Sequence, residues 1–287
     1  MSSTVRSPVP LSPSTQLLGE VISWTCSGVA VNHAALFAAL KDAGLDENVA
    51  RELAPRHAFI RACRKLSDQR IIRQVAEDET VVRFQFTAEH RDGDKFEYQL
   101  ETMLTLDKRT GRVTCDLPRL ATLAQEHLDR AIEARTGSDV TRVIQKLFER
   151  HADLFAIRPQ GGCYFVPARH GGFVDKVQTF LGRINGQVLR FPIQAGTAEG
   201  DRSVKEAVAS GLAALIAEHR QAIESFGSDT RDDTLTRAAE KIRKTQFKIS
   251  AYAEYLHEEK AKLDRELSRA REELRSRVEQ LAAAPVA

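Results

Sequence analysis

A basic stretch between Arg51 and Arg73 holds the residue types best suited to binding chemistry in this sequence. Its basic residues are Arg51, Arg56, Arg61, Arg64, Lys65, Arg70 and Arg73, and its acidic residues are Glu52 and Asp68. Arginine and lysine side chains can neutralise phosphates, and in a DNA groove they can reach base edges. The composition of this stretch therefore indicates a nucleic acid as the partner.

Helical spacing places part of this stretch on one surface. His57, Arg61 and Arg64 follow one another at intervals of four and three residues, on the face opposite Phe59 and Cys63. We predict that this helix presents its basic face to DNA or RNA and that a following hairpin touches the backbone. The predicted contact residues are Arg56, His57, Arg61, Arg64, Lys65 and Arg83. The alternative is a solvated helix face, or one that pairs with acidic residues elsewhere in the chain.

A thiol, a phenol and an imidazole come close together in sequence at Cys163, Tyr164 and His170. A cysteine and a histidine could form a nucleophile and its base. Residues 163–166 alternate as in a strand that Pro167 ends, and the glycine pairs on either side suit turns. This pattern favours a buried strand cysteine, so we predict no catalytic residue here.

The common catalytic motifs do not occur in the sequence. It contains no GxSxG, no GxxxxGK[ST] and no HExxH string. The eight histidines are solitary, and the four cysteines form no CxxC pair, so we predict reduced thiols and no metal site. We therefore expect a protein that is not an enzyme and has no cofactor.

Composition predicts a folded, soluble protein. Of 287 residues, 42% are apolar and 29% are charged, which is ordinary for a globular chain. The net charge of +2 means that a polyanion site must come from local clustering of charge. The sequence lacks both an apolar signal segment at its start and the run of about 20 apolar residues that spans a membrane. We predict a cytoplasmic location and no membrane partner.

The order of helix and strand signals predicts two modules after a disordered lead over residues 1–17. Three helices, beginning near Asn32, Asp46 and Pro55, precede a hairpin whose second strand alternates as Val82, Phe84 and Phe86. This is the order of a winged helix-turn-helix, so residues 18–117 are predicted to form a winged-helix-like module. Residues 118–226 repeat the helix and hairpin signals and are predicted to form a second α+β module.

Residues 234–284 carry a heptad repeat, the clearest pattern in the sequence. With Leu235 as a d position, apolar residues recur every seven residues over about six heptads. We predict one long coiled-coil helix that self-associates or binds a protein, mainly near its C-terminal end. The predicted contact residues are Leu256, Leu263, Leu267, Leu274 and Leu281. The alternative is a single charged surface helix. Its early basic run, Arg237, Lys241, Arg243, Lys244 and Lys248, is typical of a solvated flank.

Three segments carry a family resemblance. They read QLETMLTLDKRTGRVTCDLPRL, RTGSDVTRVIQKLFERHADLFAIRPQGGCYFVPARH and GDRSVKEAVA. These strings resemble an uncharacterised bacterial and phage family, a domain of unknown function. The resemblance covers roughly Leu18 to Phe226 and leaves the heptad tail outside. It implies a bacterial or phage cytoplasmic setting, and it brings no activity or catalytic residue to this chain.

These observations predict an α+β protein with winged-helix-like helix and hairpin modules followed by a long C-terminal coiled-coil helix. The predicted function is that of a non-enzymatic nucleic-acid-binding protein of a bacterial or phage system. The alternative is a coiled-coil adaptor or assembly protein in a multi-protein complex.

Overall fold

The computed structural model describes residues 16–67, 70–92, 95–158 and 160–283. Most of the predicted lead, residues 1–15, lies outside the described residues, as does Asp68 of the basic stretch. Helices and antiparallel strands alternate along the described chain, which confirms the mixed α+β class. Of the helices in the described ranges, none combines the length and the apolar character that a bilayer crossing would need.

The strands, in chain order, are β1 (Leu17–Thr25), β2 (Ala30–Asn32), β3 (Arg70–Glu77), β4 (Val81–Asp92), β5 (Lys95–Asp107), β6 (Val113–Thr114), β7 (Ala134–Thr136), β8 (Phe155–Ala156), β9 (Tyr164–Pro167) and β10 (Gln187–Gln194). The helices are α1 (His33–Asp42), α2 (Pro55–Lys65), α3 (Pro118–Glu133), α4 (Gly137–His151), α5 (Gly171–Arg183), α6 (Ala198–Glu224), α7 (Asp232–Ala251), α8 (Ala253–Leu256) and α9 (Glu259–Ala283). Single 3-10 turns cover Glu47–Val49 and Ala168–His170.

The described chain divides into two compact units. Residues 25–147 and 176–187 form the first, which we call the hairpin unit. Residues 16–24, 148–175 and 188–283 form the second, which we call the helical unit. This division differs from the predicted modules 18–117 and 118–226, because β1 pairs with β9 in a sheet of the helical unit. Pairing between strands so distant in sequence leaves no local signal.

The hairpin unit is built on the antiparallel sheet β3-β4-β5-β6. The alternation predicted for Val82, Phe84 and Phe86 is confirmed, since all three side chains are buried on the face covered by α2 and α3. Phe59 of α2 meets Phe84 edge to face, with ring centroids 5.6 Å apart. The alternating residues thus form the core of this unit, and α2 contributes its apolar face to that core.

The helix arrangement before this sheet departs from the predicted winged helix-turn-helix. The predicted second helix is only the 3-10 turn Glu47–Val49, and Ala54 is extended because Pro55 follows it. Helix α2 packs against α3, which comes after the sheet in sequence. A short segment that ends before a proline has no room for a stable second helix.

The residue types at the two ends of α1 predict its caps, an asparagine at the start and a glycine just past the end, and the structure confirms both. The Asn32 side chain accepts a hydrogen bond of 2.7 Å from the backbone nitrogen of Ala35. Gly44 has a φ of 65° and follows the end of this helix, in a conformation that glycine adopts without steric cost. Both signals depend only on neighbouring residues, which explains why the sequence revealed them.

The helical unit combines the sheet β10-β1-β9-β8 with helices α6, α7, α8 and α9. The prediction of one continuous helix over residues 234–284 is wrong, because the chain reverses direction between α7 and α9. His257 has a φ of 45°, and Gln246 donates a hydrogen bond of 2.9 Å to Asp264 across the reversal. Farther along, the Arg277 guanidinium bonds the backbone oxygen of Phe226, just before α7.

The heptad leucines are used inside this unit. Leu256, Leu263, Leu267 and Leu274 are buried, and Leu281 is partly buried against the same core as apolar residues of α6. A heptad pattern records only that one helix face is apolar, and a helix of the same chain covers that face as well as a second copy would. Self-association through these leucines would require α9 to leave its own core.

Candidate functional site

An open cleft of about 610 Å³ in the helical unit collects positive charge from three segments of the chain. We call it the basic cleft. Its charged lining residues are Glu149, Arg150, Asp153, Arg169, Arg243, Lys244 and Lys248. Five cationic side chains against two carboxylates leave this lining with a formal charge of +3 when its histidines are neutral. Because the overall charge of the chain is only +2, this clustering is a local feature.

Two other cavities of similar size in the described part of the chain have balanced or acidic linings, and a smaller one of about 200 Å³ has one excess positive charge, from Arg237 and Lys241 against Glu218. A cavity of about 590 Å³ is lined by two cations, Arg202 and Lys205, and by two carboxylates, Asp201 and Glu254. A third, of about 560 Å³, is lined mainly by acidic and polar residues of α6 and α9. The basic cleft is therefore the better candidate for an anionic ligand.

Asp153 forms the floor of the basic cleft and organises its cations. Its Oδ2 accepts hydrogen bonds from the Tyr252 hydroxyl at 2.6 Å and from Arg169 Nη2 at 2.7 Å. Its Oδ1 lies 2.6 Å from Lys248 Nζ, and His170 Nε2 lies 3.2 Å from Oδ2. Two full cations thus share one buried carboxylate, so a net positive charge stays at this point.

The electrostatics of Asp153 follow from these contacts. Burial by itself raises the pKa of the Asp153 carboxyl, but hydrogen bonds from His170, Lys248 and Tyr252 outweigh it. The pKa of Asp153 therefore lies well below its ordinary value, and the group is ionised at neutral pH. Burial, followed by the hydrogen bond to Asp153, raises the pKa of the Tyr252 hydroxyl, which stays protonated as a donor.

Arg169 is positioned by an aromatic ring as well as by a charge. Its guanidinium carbon lies 4.3 Å above the centroid of the Tyr252 ring, and its Nη2 donates a hydrogen bond of 2.6 Å to the Tyr252 hydroxyl. The ring of Tyr252 is itself buried and packs edge to face on Phe155. The base of the cleft is thus held by hydrogen bonds and ring contacts, whereas Arg243 and Lys244 extend into solvent from α7.

Phe247 stands among these cations on α7. Its side chain is 73% exposed, the highest value among the large apolar side chains of the described residues. The buried face of the same helix carries Ile242 and Ile249, so Phe247 is not part of the core. The cleft therefore presents an aromatic ring to solvent beside several positive charges.

Almost the whole chain matches a protein-family model. A family model described as a family of unknown function (DUF6744) matches residues 17–285. The chain belongs to this family. Membership in DUF6744 confirms the resemblance to an uncharacterised family and corrects its extent, since α7, α8 and α9 lie inside the match instead of outside it. Neither the curated proteins nor the solved structures yielded a match to this chain.

The residues predicted to bind nucleic acid lie on α2 and β4 of the hairpin unit, where they do not form one free basic face. Arg61 makes a two-pronged ion pair with Asp139, with 2.8 Å between Nη1 and Oδ2. Burial raises the pKa of Asp139, but hydrogen bonds from Arg61 and Thr136, together with the positive charge of Arg61, outweigh it and lower that pKa to about 2. Arg56 pairs with Glu77 at 3.0 Å.

The other predicted contact residues are exposed. His57, Arg64 and Lys65 lie at the surface of α2, and Arg83 lies at the surface of β4. The alternative stated for this helix, pairing with acidic residues elsewhere in the chain, therefore applies to Arg56 and Arg61. For the exposed residues His57, Arg64, Lys65 and Arg83, binding to a nucleic acid stays a prediction.

The sequence pattern indicates a solvated flank for part of the basic cleft and gives no signal for the rest of it. Arg243, Lys244 and Lys248 were predicted as a flank of a coiled coil, and Arg169 and Asp153 gave no signal because their partners are distant in sequence. One signal was present. In the heptad frame Phe247 falls at an outward b position, where an aromatic residue between basic neighbours is unusual.

Cys163 and His170 do not occupy the arrangement considered for catalysis. Cys163 is half-buried and precedes β9 by one residue, while the His170 imidazole lies beside Asp153. Tyr164 stacks on Trp24, with ring centroids 4.9 Å apart. These side chains thus contribute to packing and to the floor of the basic cleft.

Proposed function

We propose that this protein binds nucleic acid and that the basic cleft is the phosphate-binding surface. The observation that carries the proposal is the excess of cations around Asp153. Arg169 and Lys248 share this one carboxylate, and the exposed Arg243 and Lys244 add charge one turn earlier on α7. Clusters of arginine and lysine on one surface are the electrostatic signature of phosphate-backbone binding.

The distribution of the cations favours a polymer over a small anion. The positive groups come from the end of α4, the 3-10 turn Ala168–His170 and the second half of α7. A small anion would be held by a few converging donors, whereas these groups line an open cleft of about 610 Å³. A chain of phosphates can engage several of them at once, and each contact would release a condensed counterion.

Reversing charge in the cleft is expected to weaken binding and to reduce its dependence on salt. In the double variant Arg243→Glu with Lys244→Glu, two phosphate contacts are lost, so the slope of log affinity against log salt should fall by about two. Affinity at about 0.1 M salt should fall on the order of tenfold or more. Titrations of labelled DNA and RNA, followed by fluorescence anisotropy over a salt series, measure both quantities.

Two matched double variants make this experiment specific. Arg265→Glu with Arg269→Glu reverses two exposed charges on α9 that do not line the cleft, and it should lower affinity much less than the cleft variant, because salt screens the effect of exposed charges that make no direct phosphate contact. Arg64→Glu with Lys65→Glu tests the exposed face of α2 without breaking the Arg61–Asp139 pair. Loss of binding in the α2 variant alone would move the interface to the hairpin unit. No binding of the wild-type protein at low salt would contradict the proposed function.

An adaptor role is the second candidate, favoured by an apolar surface on β5. A β-bulge near Glu101 shifts the alternation, so that Tyr98, Leu100 and Met103 lie on the face turned away from α2 and α3. Tyr98 and Leu100 are each 58% exposed. Exposed apolar patches often mark protein-binding surfaces.

Charged residues on this surface are expected to abolish a protein contact made there. The double variant Tyr98→Glu with Leu100→Glu removes the apolar area while leaving the buried face of the sheet intact, so the fold should persist. Capture of partners from nuclease-treated native extracts, compared with wild type, measures the effect. An unchanged set of captured partners would exclude this surface as the contact.

A further inference from the structure

We infer that the ligand of the basic cleft is single-stranded nucleic acid and that one of its bases stacks on Phe247. This inference rests on the proposed function and adds the class of nucleic acid and the residue that selects it. It is carried by the placement of one exposed aromatic ring among the cations of α7.

The fold does not account for a phenylalanine at this position. The ring of Phe247 is 73% exposed, and the core of the unit takes its apolar contacts from Ile242, Ile249 and Tyr252 of the same segment. Exposing a large apolar side chain to water is unfavourable, and a polar residue would satisfy an outward helix position equally well. A ligand that covers the ring would remove this unfavourable contact with water.

The neighbours of Phe247 leave the ring open on one side and charged on the other. Arg243 and Lys244 precede it by one helical turn, and residues three and four apart lie side by side on a helix. Ala251 follows by one turn and also lines the cleft, but its methyl group is too short to cover the ring. The α7 surface thus offers a stacking platform with phosphate-binding groups directly beside it.

This combination matches a single strand better than a duplex. In a duplex the faces of the bases are stacked on one another, whereas in a single strand they are available to an aromatic side chain. Phenylalanine has no hydrogen-bonding group and cannot read base edges, so stacking on Phe247 should tolerate any sequence. A duplex or a free phosphate could use the cations of the cleft but would leave the ring uncovered.

Removing the ring is expected to weaken binding to single strands selectively. For Phe247→Ala, affinity for a labelled oligothymidine of about 20 nucleotides should fall roughly 5- to 100-fold, the range found for loss of one stacked base. Affinity for a duplex of the same length should change by less than about twofold, because the cations are retained. Fluorescence anisotropy at fixed salt measures both affinities, and circular dichroism confirms that the variant is folded.

Two further variants separate stacking from a general effect of the substitution. Phe247→Trp should retain single-strand affinity, and its added tryptophan fluorescence should be quenched by oligothymidine beyond the change seen for Trp24 in the wild type. Phe191→Ala removes another exposed aromatic ring of the same unit, 56% exposed and outside the cleft lining, and should not change affinity.

The outcomes separate this inference from the proposed function. If Phe247→Ala binds single strands as tightly as wild type while Arg243→Glu with Lys244→Glu weakens binding, the cleft binds phosphates and the stacking inference is overturned. Equal losses for single strands and duplex in Phe247→Ala would also overturn it, as would tighter wild-type binding to the duplex. If the wild type binds neither form at low salt, the proposed function fails and this inference fails with it.

Discussion

Ending the chain after Phe226 is expected to unfold the helical unit instead of releasing a rod from an intact body. Helices α7, α8 and α9 supply much of the apolar core of this unit. Their buried residues are Ile242, Ile249, Tyr252, Leu256, Leu263, Leu267, Ala270 and Leu274. Without them α6 would expose Leu212, Ile216 and Ile223, which are fully or nearly fully buried in the intact chain. The free energy lost by exposing so much apolar surface exceeds the small net stability of a typical domain.

Thermal unfolding followed by circular dichroism, together with limited proteolysis, measures this effect. A milder variant in the full chain tests the same packing, since Leu267→Ala should lower the free energy of unfolding by about 2–5 kcal/mol. Val278→Ala, on a partly exposed position of the same helix, should cost less than about 0.5–1 kcal/mol. A truncated chain that unfolds cooperatively at the wild-type temperature would contradict the structure and support an independent rod.

Replacing Asp153 is expected to lower stability and to raise affinity for a polyanion. Asp153→Ala leaves the Tyr252 hydroxyl, Arg169 and Lys248 without their shared acceptor. The loss should cost about 1–3 kcal/mol, because the buried Tyr252 hydroxyl is left without an acceptor, whereas Arg169 and Lys248 are 45% and 35% exposed and can be solvated. Asp153→Asn keeps an oxygen that can accept from Tyr252 and should therefore cost less. Chemical denaturation of the three proteins measures these differences.

The contribution of Asp153 should also depend on pH. Because its pKa is lower in the folded than in the unfolded protein, its ionisation stabilises the fold above the unfolded-state pKa of about 4 and loses that effect as pH falls. The stability difference between wild type and Asp153→Asn should thus be largest near neutral pH and should narrow in acid. A difference that is constant over the acid range would show that the Asp153 charge does not contribute.

The same variant tests the basic cleft with the opposite sign. Asp153→Asn removes a negative charge beside Arg169 and Lys248, so single-stranded DNA should bind more tightly and with a steeper salt dependence. A variant that is less stable yet binds more tightly cannot be explained by partial unfolding. Weaker binding by a folded Asp153→Asn protein would instead mean that Asp153 holds the cations in the geometry that binding needs.

The residues predicted as a nucleic-acid interface show how charge can mislead when only the sequence is read. The basic composition of α2 is real, but Arg61 and Asp139 are 78 residues apart in sequence and pair in the fold. Composition counts charges, whereas binding depends on which of them lack a partner within the protein. Nucleic-acid binding by α2 remains testable at the exposed Arg64 and Lys65. The double variant Arg64→Glu with Lys65→Glu distinguishes binding there from binding at the basic cleft.

The sequence by itself determined the features that depend on neighbouring residues. The caps of α1 at Asn32 and Gly44, the alternation of Val82, Phe84 and Phe86 and the apolar stripe of the C-terminal leucines were all predictable from short-range rules. Their physical basis is local. A capping side chain hydrogen-bonds to the backbone of the adjacent helical turn. Every second residue of a strand, and every seventh residue of a helix, points to the same face.

Only the tertiary structure decided which partner each surface meets. The leucine stripe could be buried equally well by another copy of the chain or by α6. The reversal at His257 occurs where the sequence has no glycine or proline that would predict it. The basic cleft joins residues 149–153, 169–170 and 243–251, which no short-range rule connects. Contacts between segments this far apart are selected by the packing of the whole unit, and that packing set Phe247 and its neighbouring cations on an open surface.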